Sequence, residues 1–90
     1  MYKVFYLDSV EEDLKNLDKP VQKRLLDKIE KTLTQDPRGL GKQLTGPFSG
    51  LWSYRIGDDR VIYKIAEKEI LIIVARIGHR KDVYWKLSNY

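Results

Sequence analysis

The sequence contains no cysteine, one histidine and three prolines among its 90 residues. The absence of cysteine excludes disulfide frameworks, thiolate zinc sites and cysteine nucleophiles. The single histidine, His79, excludes a metal site built from several histidines. No apolar run approaches the ~20 residues of a membrane-spanning helix, and residues 1–8 lack the apolar core of a signal peptide. We therefore expect a soluble cytoplasmic protein that uses no metal and no other cofactor.

The shares of hydrophobic and charged residues are those of one small domain spanning residues 1–90. Hydrophobic side chains make up 42% of the sequence, which at this length is enough for one core but not for two. Charged side chains make up 33%, above the usual share of about 25%. A chain this rich in large apolar residues is not expected to be disordered.

The net charge of +4 conceals an uneven distribution along the chain. Residues 8–36 carry eight acidic against six basic side chains, whereas residues 37–64 carry five basic against two acidic ones. Residues 76–90 again carry a basic excess, with four basic side chains against one acidic. Basic stretches next to aromatic residues are typical of surfaces that bind polyanions, and a merely solvated surface is the alternative.

Two amphipathic helices are predicted in the first half of the chain, after a strand over residues 2–7. Ser9 and Glu12 have the spacing of a capping box, so we expect them to begin the first helix. Asp18 is suited to cap the second helix, and Pro20 fits its first turn. Apolar residues then recur at every fourth position, which predicts one apolar face and an antiparallel helix hairpin.

Strands dominate the second half of the chain. Residues 38–50 contain four glycines and are predicted to form a loop. Runs of β-forming residues over 51–56, 60–66 and 69–77 predict a meander, and residues 81–87 a short tail or helix. The order β-α-α-β-β-β with segregated helices and strands indicates an α+β fold, with the helix hairpin packed on a mostly antiparallel, twisted sheet.

Arg55 and Arg60 are predicted to face each other across a hairpin whose turn is residues 56–59. In that register Ser53 and Ile62 share the exposed face with the two arginines, whereas Trp52 and Tyr54 lie on the opposite, core-facing side of the sheet. Directly opposed like charges are mildly destabilising, so an anion between the two guanidiniums would remove a repulsion and accept paired hydrogen bonds. A nearby carboxylate that neutralises both arginines is the alternative.

Three side chains with charge-stabilising or proton-transfer chemistry follow the last predicted strand: His79, Arg80 and Tyr84. Arginines combined with one histidine and one tyrosine suit a metal-free cleavage of RNA, in which the 2′-hydroxyl is the nucleophile. The protein must then accept one proton, donate another and stabilise negative charge in the transition state. A non-catalytic surface histidine and a tyrosine that only anchors the tail are the alternatives.

A family resemblance rests on three segments: KQLTG at 42–46, GLWSYRIGDDRVIY at 50–63 and RIGHRKDVY at 76–84. Together with the order of elements, they resemble the RelE/ParE toxin superfamily, most closely its RelE branch. The resemblance covers nearly the whole chain and implies a toxin of a type II toxin–antitoxin system. It further implies a ribosome-dependent endonuclease that enters the A site and cleaves mRNA without a metal. The implied partners are a cognate antitoxin, the ribosome with its mRNA, and operator DNA through the antitoxin complex. The resemblance implies no contact with a membrane.

The catalytic set that the resemblance implies is Arg55, Arg60, His79, Arg80 and Tyr84. The three arginines would hold the charge of the transition state. At position 53 this chain has a serine where the RelE branch has a lysine. The sequence therefore does not decide whether Tyr84 or His79 is the general base. The basic residues expected to contact RNA are Lys42, Lys64, Arg76, Lys81 and Lys86.

Two other functions stay open on the sequence. One is a ParE-like inhibitor of DNA gyrase without nuclease activity, and the other is a module that only binds its antitoxin and operator DNA. His79 and Tyr84 at this spacing favour the nuclease, because ParE-like chains generally lack that pair.

Overall fold

The computed structural model describes residues 1–88, which adopt the predicted α+β fold. The helices are α1 (Asp8–Lys15), α2 (Lys19–Lys31), α3 (Pro37–Leu40) and α4 (Val83–Ser88). The strands are β1 (Lys3–Tyr6), β2 (Lys42–Gln43), β3 (Trp52–Ile56), β4 (Asp59–Ala66) and β5 (Leu71–His79). They form one sheet in the order β1-β5-β4-β3-β2. Every neighbouring pair is antiparallel except β1 and β5, so the sheet is mostly antiparallel, as expected.

The hydrophobic core lies between helices α1 and α2 and one face of the sheet, here called the inner face. Val10 of α1 and Leu25 and Ile29 of α2 are buried against it. The strands contribute a second set of buried side chains: Ile56, Val61, Tyr63, Ile72, Val74 and Ile77. Trp52 and Tyr54 are partly buried against this cluster, which confirms the predicted core-facing side of β3.

A β-bulge in β5 makes this inner face continuous. Ile62 pairs with Arg76, and the next residue of β4, Tyr63, pairs with Val74, so Ala75 is the extra residue. Without the bulge Val74 and Ile77, three positions apart, would lie on opposite faces. The carbonyl of Ala75 accepts a 2.6 Å hydrogen bond from the Ser9 hydroxyl, which ties α1 to the bulge.

The predicted cap of α1 is wrong, and that of α2 is right in position but not in its hydrogen bond. Ser9 lies inside α1 and donates to Ala75 rather than capping the helix with Glu12. Asp18 is at the N-cap position of α2 but makes no side-chain capping hydrogen bond. Pro20 does lie in the first turn of α2, as predicted.

The predicted loop over residues 38–50 contains more structure than expected. Asp36 caps the short helix α3 by accepting a 3.0 Å hydrogen bond from the Gly39 amide. The hydroxyl of Tyr63 donates a 2.6 Å hydrogen bond to the Pro37 carbonyl, and a Cβ at Gly41 would collide with that hydroxyl. Burial raises the pKa of Tyr63. This buried contact anchors the segment that leads into β2, which is a fifth strand beyond the four that the sequence predicted.

The other face of the sheet, here called the outer face, is partly covered by α4. Val83 and Ile62 are fully buried, and Ser53 is 8% exposed. The sequence predicted Ser53 and Ile62 on an exposed face, so this prediction is wrong for both residues. The six-residue helix α4 covers them because it packs back on the strand that precedes it.

No helix in the described part of the chain is both long and apolar enough to cross a membrane.

Candidate active site

An open depression of about 320 Å³ lies on the outer face, beside the part that α4 covers. Its lining consists of Lys42, Leu44, Ser53, Arg55, Arg60 and Tyr84. The depression thus joins residues from β2, β3, β4 and α4 that are up to 42 positions apart in the sequence. Three of the six side chains are basic and one is a phenol, so the surface is suited to an anion.

The two arginines occupy directly opposed positions, as the sequence predicted. Ile56 pairs with Asp59 across a tight turn, and Arg55 pairs with Arg60 in the next rung. Gly57 permits the turn because its φ of 62° lies in the left-handed region that glycine tolerates. Directly opposed side chains share one face of a sheet, so both guanidiniums project from the outer face.

Each guanidinium is oriented by a carbonyl of its own hairpin. Nε of Arg55 donates to the Gly57 carbonyl at 3.2 Å, and Nη1 of Arg60 donates to the Asp59 carbonyl at 3.3 Å. A guanidinium has five N–H donors, so each keeps further donors for a ligand. Within residues 1–88, no carboxylate lies within ion-pair distance of either arginine. The carboxylate of Asp59 lies instead 3.8 Å from Arg24 of α2.

Tyr84 reaches the arginine pair from α4. Its hydroxyl donates a 3.3 Å hydrogen bond to Oγ of Ser53, the residue two before Arg55 on β3. Its ring lies 6.2 Å from that of Phe48, between centroids, which limits the sideways movement of the phenol. The tyrosine hydroxyl is therefore held at the edge of the depression.

The structure does not bring His79 and Arg80 into this lining. His79 pairs with Asp59 and therefore points to the inner face, because Gly78 pairs with Arg60. Nδ1 of His79 accepts the Lys81 amide at 3.2 Å. The side chain of Arg80 is exposed, and its backbone amide donates to Asp58 in the β3–β4 turn at 2.9 Å. Arg80 thus lies near the hairpin but outside the depression.

The five basic residues expected to contact RNA divide into two groups. Lys42 lines the depression, Lys64 is exposed on the same face of β4, and Lys81 is exposed before α4. Arg76 and Lys86 instead form ion pairs with Asp13, and only 16% and 28% of their side chains are exposed. Engagement by a buried carboxylate removes these two residues from the expected RNA-contacting surface.

Sequence reasoning missed a second basic surface, on helix α2. Its exposed cations are Lys19, Lys23, Arg24, Lys28 and Lys31, and the last four line an open depression of about 520 Å³. The average charge of residues 8–36 concealed this surface, because the acidic residues of the segment mostly lie elsewhere. The spacing of four between Lys19 and Lys23, and between Arg24 and Lys28, was the available signal.

The depression offers two of the elements that phosphodiester cleavage requires: charge stabilisation and one group for proton transfer. Two opposed guanidiniums offer donors to the non-bridging oxygens of one phosphate, and the phenol is placed to exchange a proton nearby. Within residues 1–88, no group of three or more histidine, aspartate or glutamate side chains is arranged to hold a metal ion.

Comparisons with known proteins point in one direction. The sequence model of the ParE toxin of the type II toxin–antitoxin system parDE matches residues 4–84. Toxin RelG of Mycobacterium tuberculosis is 26% identical over 83 residues, which cover 92% of this chain and 95% of RelG. Toxin YoeB of Synechocystis is 38% identical over 66 residues, which cover 66% of this chain and 77% of YoeB. The crystal structure of the toxin–antitoxin complex RelBE2 from Mycobacterium tuberculosis contains a chain with a TM-score of 0.84 and 25% identity, over 88% of this chain and 98% of that one.

Proposed function

The chain belongs to the RelE/ParE superfamily of toxins from type II toxin–antitoxin systems, and from that membership we propose that it is a ribosome-dependent mRNA endonuclease. The observation that carries the proposal is the opposed pair Arg55 and Arg60 beside the Tyr84 hydroxyl, in one depression to which residues 1–88 contribute no neutralising carboxylate. If the hairpin had only a structural role, this pairing of like charges would add nothing to its stability.

In the proposed reaction the 2′-hydroxyl of the mRNA attacks the adjacent phosphorus. The bond from phosphorus to the 5′-oxygen of the next nucleotide breaks, which leaves a 2′,3′-cyclic phosphate and a free 5′-hydroxyl. One proton leaves the 2′-oxygen and another arrives at the departing 5′-oxygen. Arg55 and Arg60 bind the non-bridging oxygens, whose negative charge increases in the transition state.

We assign one of the two proton transfers to Tyr84 rather than to His79. The Tyr84 hydroxyl lies at the depression, whereas the strand register directs His79 to the opposite face of the sheet. The ribosome positions the substrate and supplies the remaining proton acceptor or donor. Arg80, which is exposed next to the β3–β4 turn, contacts the mRNA backbone outside the depression. The reaction requires no metal.

A cognate antitoxin is the proposed protein partner, and operator DNA is contacted only through the complex with it. The support is the structural likeness to the toxin chain of a toxin–antitoxin complex. The antitoxin would keep the toxin inactive by covering the depression or by moving a residue that lines it.

The test uses ribosomes programmed with a defined mRNA in the A site. The protein is expected to cut within the A-site codon in the presence of a metal chelator that leaves the ribosomes intact. Arg60→Gln should slow cleavage by about 10²–10³-fold. Tyr84→Phe should slow it by about 10²–10⁴-fold. Tyr2→Phe and Lys68→Gln, which change a partly buried tyrosine and an exposed lysine outside the site, are the matched controls and should cut at the wild-type rate.

The outcome that contradicts the proposal is intact mRNA at saturating protein. A parallel assay with DNA gyrase then decides for the alternative: accumulation of relaxed DNA identifies a ParE-like inhibitor. Equal cleavage by the wild type and by Tyr84→Phe would keep the nuclease but remove the tyrosine from the chemistry.

A further inference from the structure

A buried carboxylate outside the depression joins three parts of the fold. Asp13 of α1 is 3% exposed. Its Oδ2 accepts the backbone amide of Ile77 at 3.0 Å, and its Oδ1 accepts Nη1 of Arg76 at 3.0 Å. The same Oδ1 accepts Nζ of Lys86 at 3.2 Å. Two of these partners belong to β5, and Lys86 is the residue through which α4 joins the cluster.

Helix α4 depends on such contacts because it is short. A helix of six residues is not stable in water by itself, so its position is set by its tertiary contacts. The contacts that hold it on the outer face include the buried side chain of Val83, the ring contact of Tyr84 with Phe48, the Tyr84 hydrogen bond to Ser53 and the Lys86 ion pair.

The two polar contacts act on different sides of the helix. Successive residues of an α-helix are about 100° apart, so Tyr84 and Lys86 are separated by about 200° around the axis. The bond to Ser53 restrains only the side of the helix that carries Tyr84. The second bond, to Asp13 on the other side, fixes the rotation that directs the Tyr84 hydroxyl toward the depression.

We propose that Asp13 and Lys86 are a positioning pair, which holds α4 in the orientation that places Tyr84 beside Arg55 and Arg60. In this assignment Lys86 acts through Tyr84 and does not contact RNA. The part that concerns catalysis rests on the proposed nuclease function, whereas the part that concerns the position of α4 does not.

The variant Lys86→Met tests the pair with little other disturbance. It removes the ammonium group but keeps an unbranched apolar side chain, and it leaves the bonds from Asp13 to Arg76 and Ile77 in place. Lys86→Arg restores a positive donor of similar reach and is the rescue variant. Lys68→Met, in the exposed β4–β5 turn, is the control for the loss of one positive charge.

The first measurement is hydrogen exchange of the isolated protein, followed by mass spectrometry. In Lys86→Met the amides of α4 should exchange about tenfold faster than in the wild type, the change that loss of one charge-assisted hydrogen bond implies. The amides of β3, β4 and β5 should be unchanged, and Lys86→Arg and Lys68→Met should match the wild type. Unchanged exchange in α4 of Lys86→Met overturns the proposal, whether or not the protein is a nuclease.

The second measurement is single-turnover cleavage on programmed ribosomes. Lys86→Met should lower the maximal rate about tenfold and leave the half-saturating concentration unchanged. In the Tyr84→Phe background the same substitution should have no further effect, because Lys86 acts through the phenol. A loss that appears in the half-saturating concentration, or that persists in Tyr84→Phe, would instead identify Lys86 as an RNA contact and reject its positioning role.

Discussion

The opposed arginines of the β3–β4 hairpin are expected to reduce the stability of the fold. Arg55 and Arg60 occupy one rung of the ladder and share the outer face. A directly opposed like-charge pair costs about 0.2–1 kcal/mol relative to a neutral pair. Replacing either residue by glutamine should therefore raise the free energy of unfolding by about 0.5 kcal/mol. For a domain of this size that gain corresponds to an increase in Tm of about 2–4 °C.

The assay is thermal denaturation followed by circular dichroism at pH 7, at low salt and again at 1 M salt. The gain should be present at low salt and disappear at 1 M, where the Debye length falls to about 3 Å. The double variant should gain no more than either single variant, because one substitution already removes the repulsion. Lys64→Gln, on the same face of β4 but opposite Ile73, controls for the lower net charge and should change Tm less.

A result opposite in sign would refute this reasoning. If Arg55→Gln or Arg60→Gln lowers Tm at low salt, the guanidiniums stabilise the hairpin and need no functional explanation. If the two gains add fully in the double variant, the arginines do not repel each other. The expected combination of higher stability and slower cleavage would indicate residues retained for chemistry at a cost to the fold.

The remaining predictions concern the contact below α3 and the basic surface of α2. Tyr63→Phe should lower the free energy of unfolding by about 1–3 kcal/mol in urea titrations, because the buried Pro37 carbonyl loses its donor. Gly41→Ala should destabilise the fold through the same contact, and a wild-type midpoint for either variant would contradict it. Burial raises the pKa of Tyr63, so its contribution to the free energy of unfolding is complete below pH ~10. Above that pH the contribution should decline by about 1.4 kcal/mol per pH unit, and Tyr63→Phe should reduce this slope. If α2 contacts RNA, the double variant Lys23→Gln, Lys28→Gln should bind ribosomes more weakly. The slope of the logarithm of its binding constant against the logarithm of the salt concentration should be smaller by about 1–2, and an unchanged slope would show that α2 lies away from RNA.

The register of the β3–β4 hairpin could be predicted because local rules determine it. Gly57 marks the turn, and alternation then assigns every side chain of two strands to a face. From one turn the sequence yields the opposition of Arg55 and Arg60 and the core-facing position of Trp52 and Tyr54, all of which the structure has.

The features that sequence reasoning missed depend on contacts between distant segments. Ser9 looks like a cap, but the bulge at Ala75 offers its hydroxyl a stronger partner. Ile62 looks exposed by alternation, but a helix that begins 21 residues later covers it. Asp13 lies three residues after Val10, so helical spacing places it on the apolar side of α1, but its partners lie in distant segments. Its role becomes visible only when β5 and α4 converge on it.

Only part of the candidate site could be predicted, because only part of it is determined by local spacing. Arg55 and Arg60 follow from the hairpin, and Tyr84 followed from its chemistry and position after the last strand, with the family resemblance in agreement. His79 could not be assigned to a face, because the bulge shifts the alternation of β5 by one residue. A count of alternation from the middle of the strand therefore predicts the wrong side for its end.

The pairing of β1 with β5 determines when this protein becomes functional during its own synthesis. Strand β1 lies beside β5, with Lys3 opposite Leu71, so the sheet cannot close until β5 has been translated. Tyr84 comes later still, and its helix docks only on a sheet that is already closed. While these last residues are inside the exit tunnel, the nascent polypeptide has no phenol at the depression. The completed site therefore forms only after Tyr84 has left the exit tunnel.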